Sequence, residues 1–385
     1  MKKKITAIVI CLVLVCSLCL VACDIDLTKT GSTNKTITVT DMMGRELEVP
    51  LEPQKVVCIG AGALRLYTYI GDLSKLCAVE EIEATRTTQR ISLRPYQIAN
   101  EDLFVSLVQK GATAGAGGPN AQSLSAELIE TLSLLSPDIV FSCLTTETTI
   151  LENAEKAIGC PIVTLKYGEQ KAFSQELLQS LSLLVTICNK KQRSAELASY
   201  IKNLKVDLLA RGLENSSAKI YLACNSNWGV KGFLSTAKSY PIFTASYITN
   251  VMDSQGITLQ NGFADMEAVI NSGADKIILD AGGLETFKAD YLAQDSLLPQ
   301  QLEGMAAFKN KEVYLIMPNN AYDANVETYF INAYYALSVA CGVEIDIEAK
   351  AKEITKQFLG VELYDEITMY GGYQKLNLPE VWPEK

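Results

Sequence analysis

The sequence contains no histidine among its 385 residues. Histidine is the commonest metal ligand in proteins and the usual general base at neutral pH. Its absence excludes a site that holds a transition metal through several imidazoles. It also excludes Ser/His and Cys/His nucleophile pairs.

Positive charge is scarce as well, with 34 Lys and Arg residues against 44 Asp and Glu residues and a formal net charge of −10. No basic cluster offsets this balance, so nucleic acid is not expected as a partner. Cysteine is plentiful at 11 residues, but the seven that follow Cys23 are scattered and contain no CxxC pair. Several of them adjoin apolar runs, so we expect free, mostly buried thiols.

The first 22 residues combine three lysines with a long apolar run, which is typical of a secretory signal peptide. The run ends in LVAC, which resembles a bacterial lipobox, and this resemblance implies lipidation of Cys23. Residues 23–35 are polar and predict a flexible tether. We therefore expect an extracytoplasmic protein anchored to the cell membrane by lipid. An uncleaved membrane anchor is the alternative.

The rest of the sequence predicts two α/β lobes. TITVT and ELEV flank a DMMGR turn and predict a hairpin, after which KVVCIG, PDIVFSC and PIVTLKYG alternate with helical patterns up to residue 169. Such apolar runs are typical of a parallel sheet covered on both faces. The alternation returns over residues 214–385 with KIYLAC, KIILDAGG and EVYLIMP, and we expect a further helix around YITNVM. The proline-free segment 170–213 predicts a long connecting helix or a helix pair.

The order of these segments resembles the substrate-binding lipoproteins of ABC importers for iron complexes, haem and cobalamin. The resemblance is carried by DMMGRELEVPLEPQKVV, GALRL, RPY, GAGGPN, LSPDIVF, VKGF, DAGG and NNAYDANVETYFINAYYA. It implies two Rossmann-like lobes joined by a long rigid helix, the class III periplasmic-binding-protein architecture, with the ligand in the cleft between the lobes. It also implies a monomer without enzymatic activity or resident cofactor, whose partners are ABC permease and ATPase subunits.

Residues 56–66, VVCIGAGALRL, also invite a different interpretation. A strand, a GxG turn and an acidic residue about 20 positions later form the dinucleotide fingerprint, and Glu80 fits the last position. However, the fingerprint needs a third glycine where this chain has Arg65. We therefore expect the turn to aim a cation into the cleft, and an anchored oxidoreductase is the less favoured alternative.

Eight residues are predicted to face the ligand. Arg65 stands at the start of the first helix, where a side chain projects toward the cleft at the strand ends, and the others lie in loops on the expected cleft side: Arg94, Tyr96, Gly117, Gly118, Trp228, Lys231 and Tyr322. Three cations in an acidic protein favour an anionic ligand, such as a carboxylate or catecholate iron chelate. A ferric siderophore fits best because its chelator already fills the coordination sphere of the metal. Cobalamin, haem bound through tyrosine, and an oxyanion such as molybdate or tungstate remain alternatives.

The two lobes repeat one further feature. Glu130 lies in a helical pattern seven residues before Pro137, and Glu267 lies in a similar pattern seven residues before Ala274. The family resemblance implies that these carboxylates dock onto arginines of the permease. The alternative is that they are solvated glutamates that favour the helix dipole.

Overall fold

The computed structural model describes residues 35–85, 93–118, 121, 123–144, 146–227, 229, 231–369, 371–379 and 381–382. The signal peptide, Cys23, most of the tether and Trp228 lie outside the described residues. The strands are β1 Thr36–Thr40, β2 Glu46–Pro50, β3 Val56–Ile59, β4 Leu76–Ala78, β5 Ile139–Ser142, β6 Ile162–Thr164, β7 Lys219–Ala223, β8 Thr249–Asn250, β9 Lys276–Asp280, β10 Val313–Ile316 and β11 Gln374–Lys375.

The α-helices span Ala63–Ile70, Glu81–Ala84, Pro95–Ala99, Glu101–Gln109, Ala126–Leu135, Thr148–Ile158, Gln175–Cys188, Lys191–Glu214, Pro241–Ala245, Met266–Ile270, Leu284–Leu292, Leu298–Leu302, Ala306–Lys309, Val326–Cys341, Ile347–Leu359 and Tyr364–Thr368. Short 3₁₀ turns span Leu73–Lys75, Lys171–Phe173, Val251–Asp253 and Ala281–Gly283. Among the described residues, no helix combines the length and apolar composition needed to cross a membrane.

The two predicted lobes are present, and their sheets repeat one topology. The N-terminal sheet has the order β4-β3-β5-β6 with parallel pairing throughout. The C-terminal sheet has the equivalent order β8-β7-β9-β10, also parallel, and adds β11 antiparallel at its edge. The predicted hairpin is confirmed as the antiparallel pair β1 and β2. The repeat inferred from the order of apolar runs is therefore a repeat of strand order.

The connector is a pair of helices, one of the two arrangements expected for this segment. It consists of two helices, Gln175–Cys188 and Lys191–Glu214, which pack against each other. The break falls at Asn189, whose φ of 51° caps the first helix in the left-handed conformation. Asparagine tolerates that conformation better than most residues, so the chain reverses there without a glycine. The helix expected around YITNVM is wrong, because this segment forms β8 and a 3₁₀ turn.

One apolar core runs through both lobes. Alternate residues of the central strands point into it, Val56 and Cys58 from β3 and Ile220 and Leu222 from β7, since successive side chains of a strand face opposite sides. The helix Val326–Cys341 is almost entirely buried in this core. Separate smaller cores cover the outer faces of the two sheets. The base of the molecule is therefore continuous, which leaves little room for the lobes to swing apart.

Candidate ligand-binding cleft

The two sheets direct the carboxyl ends of their strands toward a shared cleft. In each lobe the second strand lies on one side of the first strand and the third strand lies on the other side. The strand order therefore reverses between β3 and β5 in one lobe and between β7 and β9 in the other. Open α/β sheets bind ligands at such switch points, outside the carboxyl ends of the strands. The segments that follow these strands therefore define the candidate site.

Arg65 lies in the first turn of the helix after β3 and is fully buried at the contact between the lobes. Its Nη1 donates to the Tyr167 hydroxyl at 3.2 Å and to the Tyr322 carbonyl at 3.1 Å, and its Nη2 donates to the Ala321 carbonyl at 2.6 Å. The guanidinium also stacks over the Tyr96 ring, 4.7 Å from the ring centre. Arg65 is therefore held between an aromatic wall of one lobe and two backbone carbonyls of the other.

The Arg65 side chain keeps its charge in this setting. Desolvation alone would lower the pKa of the guanidinium, but the nearby phenols of Tyr167 and Tyr96 and the Glu327 carboxylate act in the opposite direction, so the pKa is raised. Its Nε is buried and has no hydrogen-bond partner among the described residues. A buried cation with an unused donor is a group that can accept an anion.

Tyr322 joins the C-terminal lobe to an acid of the N-terminal lobe. Its hydroxyl donates to Glu80 Oε2 at 2.7 Å, and Glu80 Oε1 accepts from the Gly60 amide at 3.1 Å. Burial raises the pKa of Glu80 to about 7, although both hydrogen bonds lower it. Glu80, which matched the dinucleotide fingerprint in the sequence, therefore serves as an acceptor at the contact between the lobes.

Arg94 and Tyr96 are buried around a second acid. Arg94 pairs with Glu83 at 3.0 Å, and the Tyr96 hydroxyl lies 2.7 Å from both oxygens of the same carboxylate. Arg94 Nη2 also donates to the carbonyls of Ile82 and Thr85. Arg94 is therefore engaged inside its own lobe, while Tyr96 presents its ring to Arg65. The assignment of these residues as ligand contacts stays a prediction.

Three of the remaining predicted residues have described positions, two of them at the contact between the lobes. Gly117 and Gly118 have φ of 67° and 89°, and a Cβ on Gly117 would lie 2.8 Å from the Glu80 side chain. The backbone of Gly118 lies near the Tyr322 hydroxyl. Lys231 lies over the Phe263 ring, with its ammonium 5.4 Å from the ring centre. The structure thus brings four of the predicted residues together: Arg65, Tyr96, Gly118 and Tyr322. Arg94 lies within the N-terminal lobe, where it pairs with Glu83.

Further contacts between the lobes come from the loop 319–325 and the helix after it. Lys171 pairs with Asp323 at 2.9 Å, and Asn325 Nδ2 donates to the Leu93 carbonyl at 2.8 Å. The Tyr69 hydroxyl donates to Glu327, whose pKa is raised by burial. These partners were not found in the sequence analysis, because they lie more than 150 residues apart in the chain.

The sequence analysis also missed a set of asparagines on the C-terminal side of the cleft. Asn225 and Asn227 follow β7, and Asn319 follows β10. Each has a buried side-chain oxygen without a hydrogen-bond partner among the described residues. Amide groups at the carboxyl ends of strands can hydrogen-bond a polar ligand. The signal that could have revealed them is asparagine directly after a buried apolar run.

Glu130 and Glu267 occupy equivalent places in the two lobes. Each lies in the helix that precedes the third strand of its sheet, and each is exposed. Glu267 lies in the first turn of its helix, whereas Glu130 is the fifth residue of Ala126–Leu135, where Glu127 is the acidic residue of the first turn. An interaction with the helix dipole therefore accounts less well for Glu130 than for Glu267.

Two lobes with the same strand order, a helical connector and a cleft between the carboxyl ends of the strands define the architecture of class III periplasmic binding proteins. Comparison with solved structures agrees. A periplasmic solute-binding protein from Veillonella parvula matches with a TM-score of 0.58 and 17% identity, covering 86% of this chain and 95% of that one. An ABC transporter solute-binding protein from Sulfurospirillum deleyianum matches with a TM-score of 0.59 and 17% identity, covering 86% and 98%.

The molybdate-binding protein MolA of Haemophilus influenzae, solved with molybdate bound, matches with a TM-score of 0.56 and 16% identity, covering 85% of this chain and 98% of its own. Neither models of protein families nor curated proteins give a match. At these identities the likeness establishes the fold, and the function has to be argued from the site.

Proposed function

We propose that this protein is the substrate-binding component of an ABC importer. In this role it captures an anionic ligand between its lobes and delivers the ligand to a permease and its ATPase. The observation that carries the proposal is the buried Arg65, a cation at the switch point of one sheet that faces the polar strand ends of the other. The solute-binding proteins that share the fold support the same role. The mechanism is affinity and presentation, without bond chemistry or a resident cofactor.

The proposed ligand class is an iron complex with an anionic chelator, namely a ferric siderophore. Arginine binds carboxylate and catecholate oxygens through paired donors. The unpartnered side-chain oxygens of Asn225 and Asn319 are acceptors for N–H or O–H groups at the periphery of such a chelator. A molybdate or tungstate oxyanion is the second candidate, favoured by the fold shared with MolA. Haem and cobalamin are weaker candidates, because the chain has no histidine to ligate a metal in either.

The proposal includes placement and partners. LVAC at residues 20–23 supports lipid attachment at Cys23, and hence a position at the outer face of the membrane, where we propose that the protein is a monomer. Glu130 and Glu267 are proposed to dock onto permease arginines, because both are exposed and occupy equivalent places in the repeated lobes. An oxidoreductase is disfavoured because Arg65 replaces the glycine that a dinucleotide site needs.

Calorimetric titration with a ferric catecholate complex, a ferric carboxylate complex, molybdate, haem and cobalamin tests this function. We expect one of the first three to bind, and Arg65→Met to abolish that binding while Arg211→Met, a change at a half-exposed arginine on the connector, leaves it intact. Fluorescence adds a positional test, since the chain has two tryptophans. A ligand-induced change that is lost in Trp228→Phe and kept in Trp382→Phe would place the ligand at the predicted loop. Binding of none of the five compounds would contradict the proposal.

A further inference from the structure

One short loop of the C-terminal lobe makes the contacts that cover Arg65. This loop, Asn319–Asn325, follows β10 and provides both backbone carbonyls that Arg65 binds. It also provides the Tyr322 hydroxyl for Glu80, the Asp323 carboxylate for Lys171 and the Asn325 amide for Leu93. Five contacts from seven residues thus cross to the N-terminal lobe at the place where the cleft would take a ligand.

The acceptors that the loop offers to Arg65 resemble those of an anion. A guanidinium carries five N–H donors arranged to meet two oxygens side by side, and here two neighbouring carbonyl oxygens fill that role. Carbonyl oxygens are neutral, so they are weaker partners for a buried cation than an oxyanion is. In addition, Arg65 Nε has no hydrogen-bond partner among the described residues. The contact therefore leaves interaction energy available to a bidentate oxyanion.

The loop itself is held in an unfavourable backbone conformation. Tyr322 and Asp323 have φ of 52° and 66°, which residues with a Cβ adopt rarely, tyrosine above all. Consecutive residues of this kind persist only when surrounding contacts hold them. Displacement of the loop would release this strain, which lowers the cost of exchanging the carbonyls for a ligand.

We propose that the Asn319–Asn325 loop is an internal ligand of Arg65: it occupies the anion position of the cleft while the site is empty and is displaced by the oxyanion group of the incoming ligand. This inference rests on the proposed function, because it places the ligand at Arg65. It adds that the group of the ligand recognised by Arg65 is a bidentate oxyanion. It also adds that the loop and the ligand compete for Arg65, and that this competition sets the affinity for the ligand. Since one core continues through both lobes, displacement is local and does not require the lobes to swing apart.

Hydrogen exchange of the ligand-free protein tests the contact without any ligand. The loop variant Tyr322→Phe/Asp323→Asn removes the bond to Glu80 and the ion pair with Lys171, and asparagine suits the left-handed position. The matched control Tyr314→Phe/Glu348→Gln removes a Tyr–Glu bond of the same 2.7 Å length and a Lys–Glu ion pair, both inside the C-terminal lobe. We expect amides of the loop and around Gly118 to exchange at least about tenfold faster in the loop variant than in the control.

Molybdate and a ferric catecholate complex serve as probes for the competition. A probe that binds the wild type is expected to bind the loop variant about three- to tenfold more tightly. The reason is that in the loop variant a smaller fraction of the protein has the loop bound to Arg65. Exchange rates equal to those of the control, or a probe affinity that does not rise, would overturn the inference. Faster exchange without binding of either probe would support the loop contact and refute the proposed ligand class. If the double variant does not fold, Lys171→Gln alone weakens the same contact from the other lobe.

Discussion

Tyr322 binds a cation and an acid of the opposite lobe at the same time. Its carbonyl accepts from Arg65 at 3.1 Å, and its hydroxyl donates to Glu80 at 2.7 Å. The two N-terminal partners come from the segments after neighbouring strands, Arg65 from the helix after β3 and Glu80 from the turn after β4. One residue of the C-terminal lobe therefore fixes the spacing of two functional groups of the other lobe.

Replacement of Arg65 by lysine should destabilise the protein more than the retained charge suggests. A single ammonium cannot reach the two carbonyls and the Tyr167 hydroxyl in the geometry of a planar guanidinium, so buried acceptors lose their donors. We expect the free energy of unfolding to fall by about 2 kcal/mol or more in urea denaturation. Arg211→Lys, at a half-exposed ion pair, should change it by less than about 0.5 kcal/mol. Equal effects of the two substitutions would contradict the role assigned to Arg65.

Glu80 should make stability depend on pH. Its pKa of about 7 in the folded protein lies above the ordinary value of 4.5, so between these values the folded state binds more protons than the unfolded state. The contribution of Glu80 to the free energy of unfolding is therefore fully present below about pH 4.5 and is lost as the pH rises through 7. Glu80→Gln removes the titration, and its stability relative to wild type should rise by about 3 kcal/mol between pH 4 and pH 8.

The comparison of Glu80→Gln with wild type isolates this group from its neighbours. The charged groups around it are Glu83, which raises the pKa of Glu80, and Arg94, which lowers it, and the Gly60 amide and Tyr322 hydroxyl face it from other elements. Glu312→Gln is a control of opposite sign, because the hydrogen bonds from Lys375 and Tyr314 lower the pKa of Glu312. The measurement is urea denaturation across the pH range. A difference between Glu80→Gln and wild type that does not vary with pH would refute the assignment.

The fold could largely be predicted from the sequence, because most of its strands have a recognisable local sequence pattern. Continuous apolar runs, which are typical of a sheet buried on both faces, form β3, β5, β7 and β9. The pattern occurs twice along the chain, and this repetition led to the prediction of two lobes. Where local signals competed, the prediction was open or wrong. Apolar periodicity fitted one helix or two across Asn189, where the first connector helix ends. Tyr247, with φ of 53°, precedes a strand where a helix was expected.

The site could be predicted only in part. Residues that follow strands were found, since the carboxyl ends of parallel strands mark the cleft, and Arg65 was among them. Their partners were not found, because Arg65 and the Tyr322 carbonyl lie 257 positions apart and no local pattern links them. The asparagines of the loops could have been found from their position after apolar runs, but only the structure shows that their side-chain oxygens are buried without a hydrogen-bond partner among the described residues.

The seven cysteines from Cys58 to Cys341 are free, as expected, and their thiols should react slowly. Burial raises the pKa of Cys160 and Cys188 to about 12, so the reactive thiolate is rare at neutral pH. In the chain from Asp24 onward, we expect Ellman's reagent to titrate seven thiols after unfolding without reductant. In the native protein only Cys77 and Cys341 should react at an appreciable rate, because Cys143, although partly exposed, has a thiol whose pKa burial raises well above its ordinary value. A count below seven after unfolding would reveal a disulfide.

Charge reversal at Glu130 and Glu267 should abolish transport without weakening ligand binding. Both carboxylates are exposed and lie in helices before the third strand of each lobe, away from the contacts of Arg65. A Glu130→Lys/Glu267→Lys protein would present ammonium groups to the proposed permease arginines, which converts attraction into repulsion at both ends of the interface.

The measurement is ligand uptake by cells that express the cognate importer, together with calorimetric affinity of the purified protein. Glu348→Lys/Glu362→Lys makes the same charge change at two other glutamates, 54% and 48% exposed, and should leave uptake unchanged. Normal uptake by the first variant would refute the docking role, and a parallel loss of ligand affinity would instead place the two glutamates in the binding site.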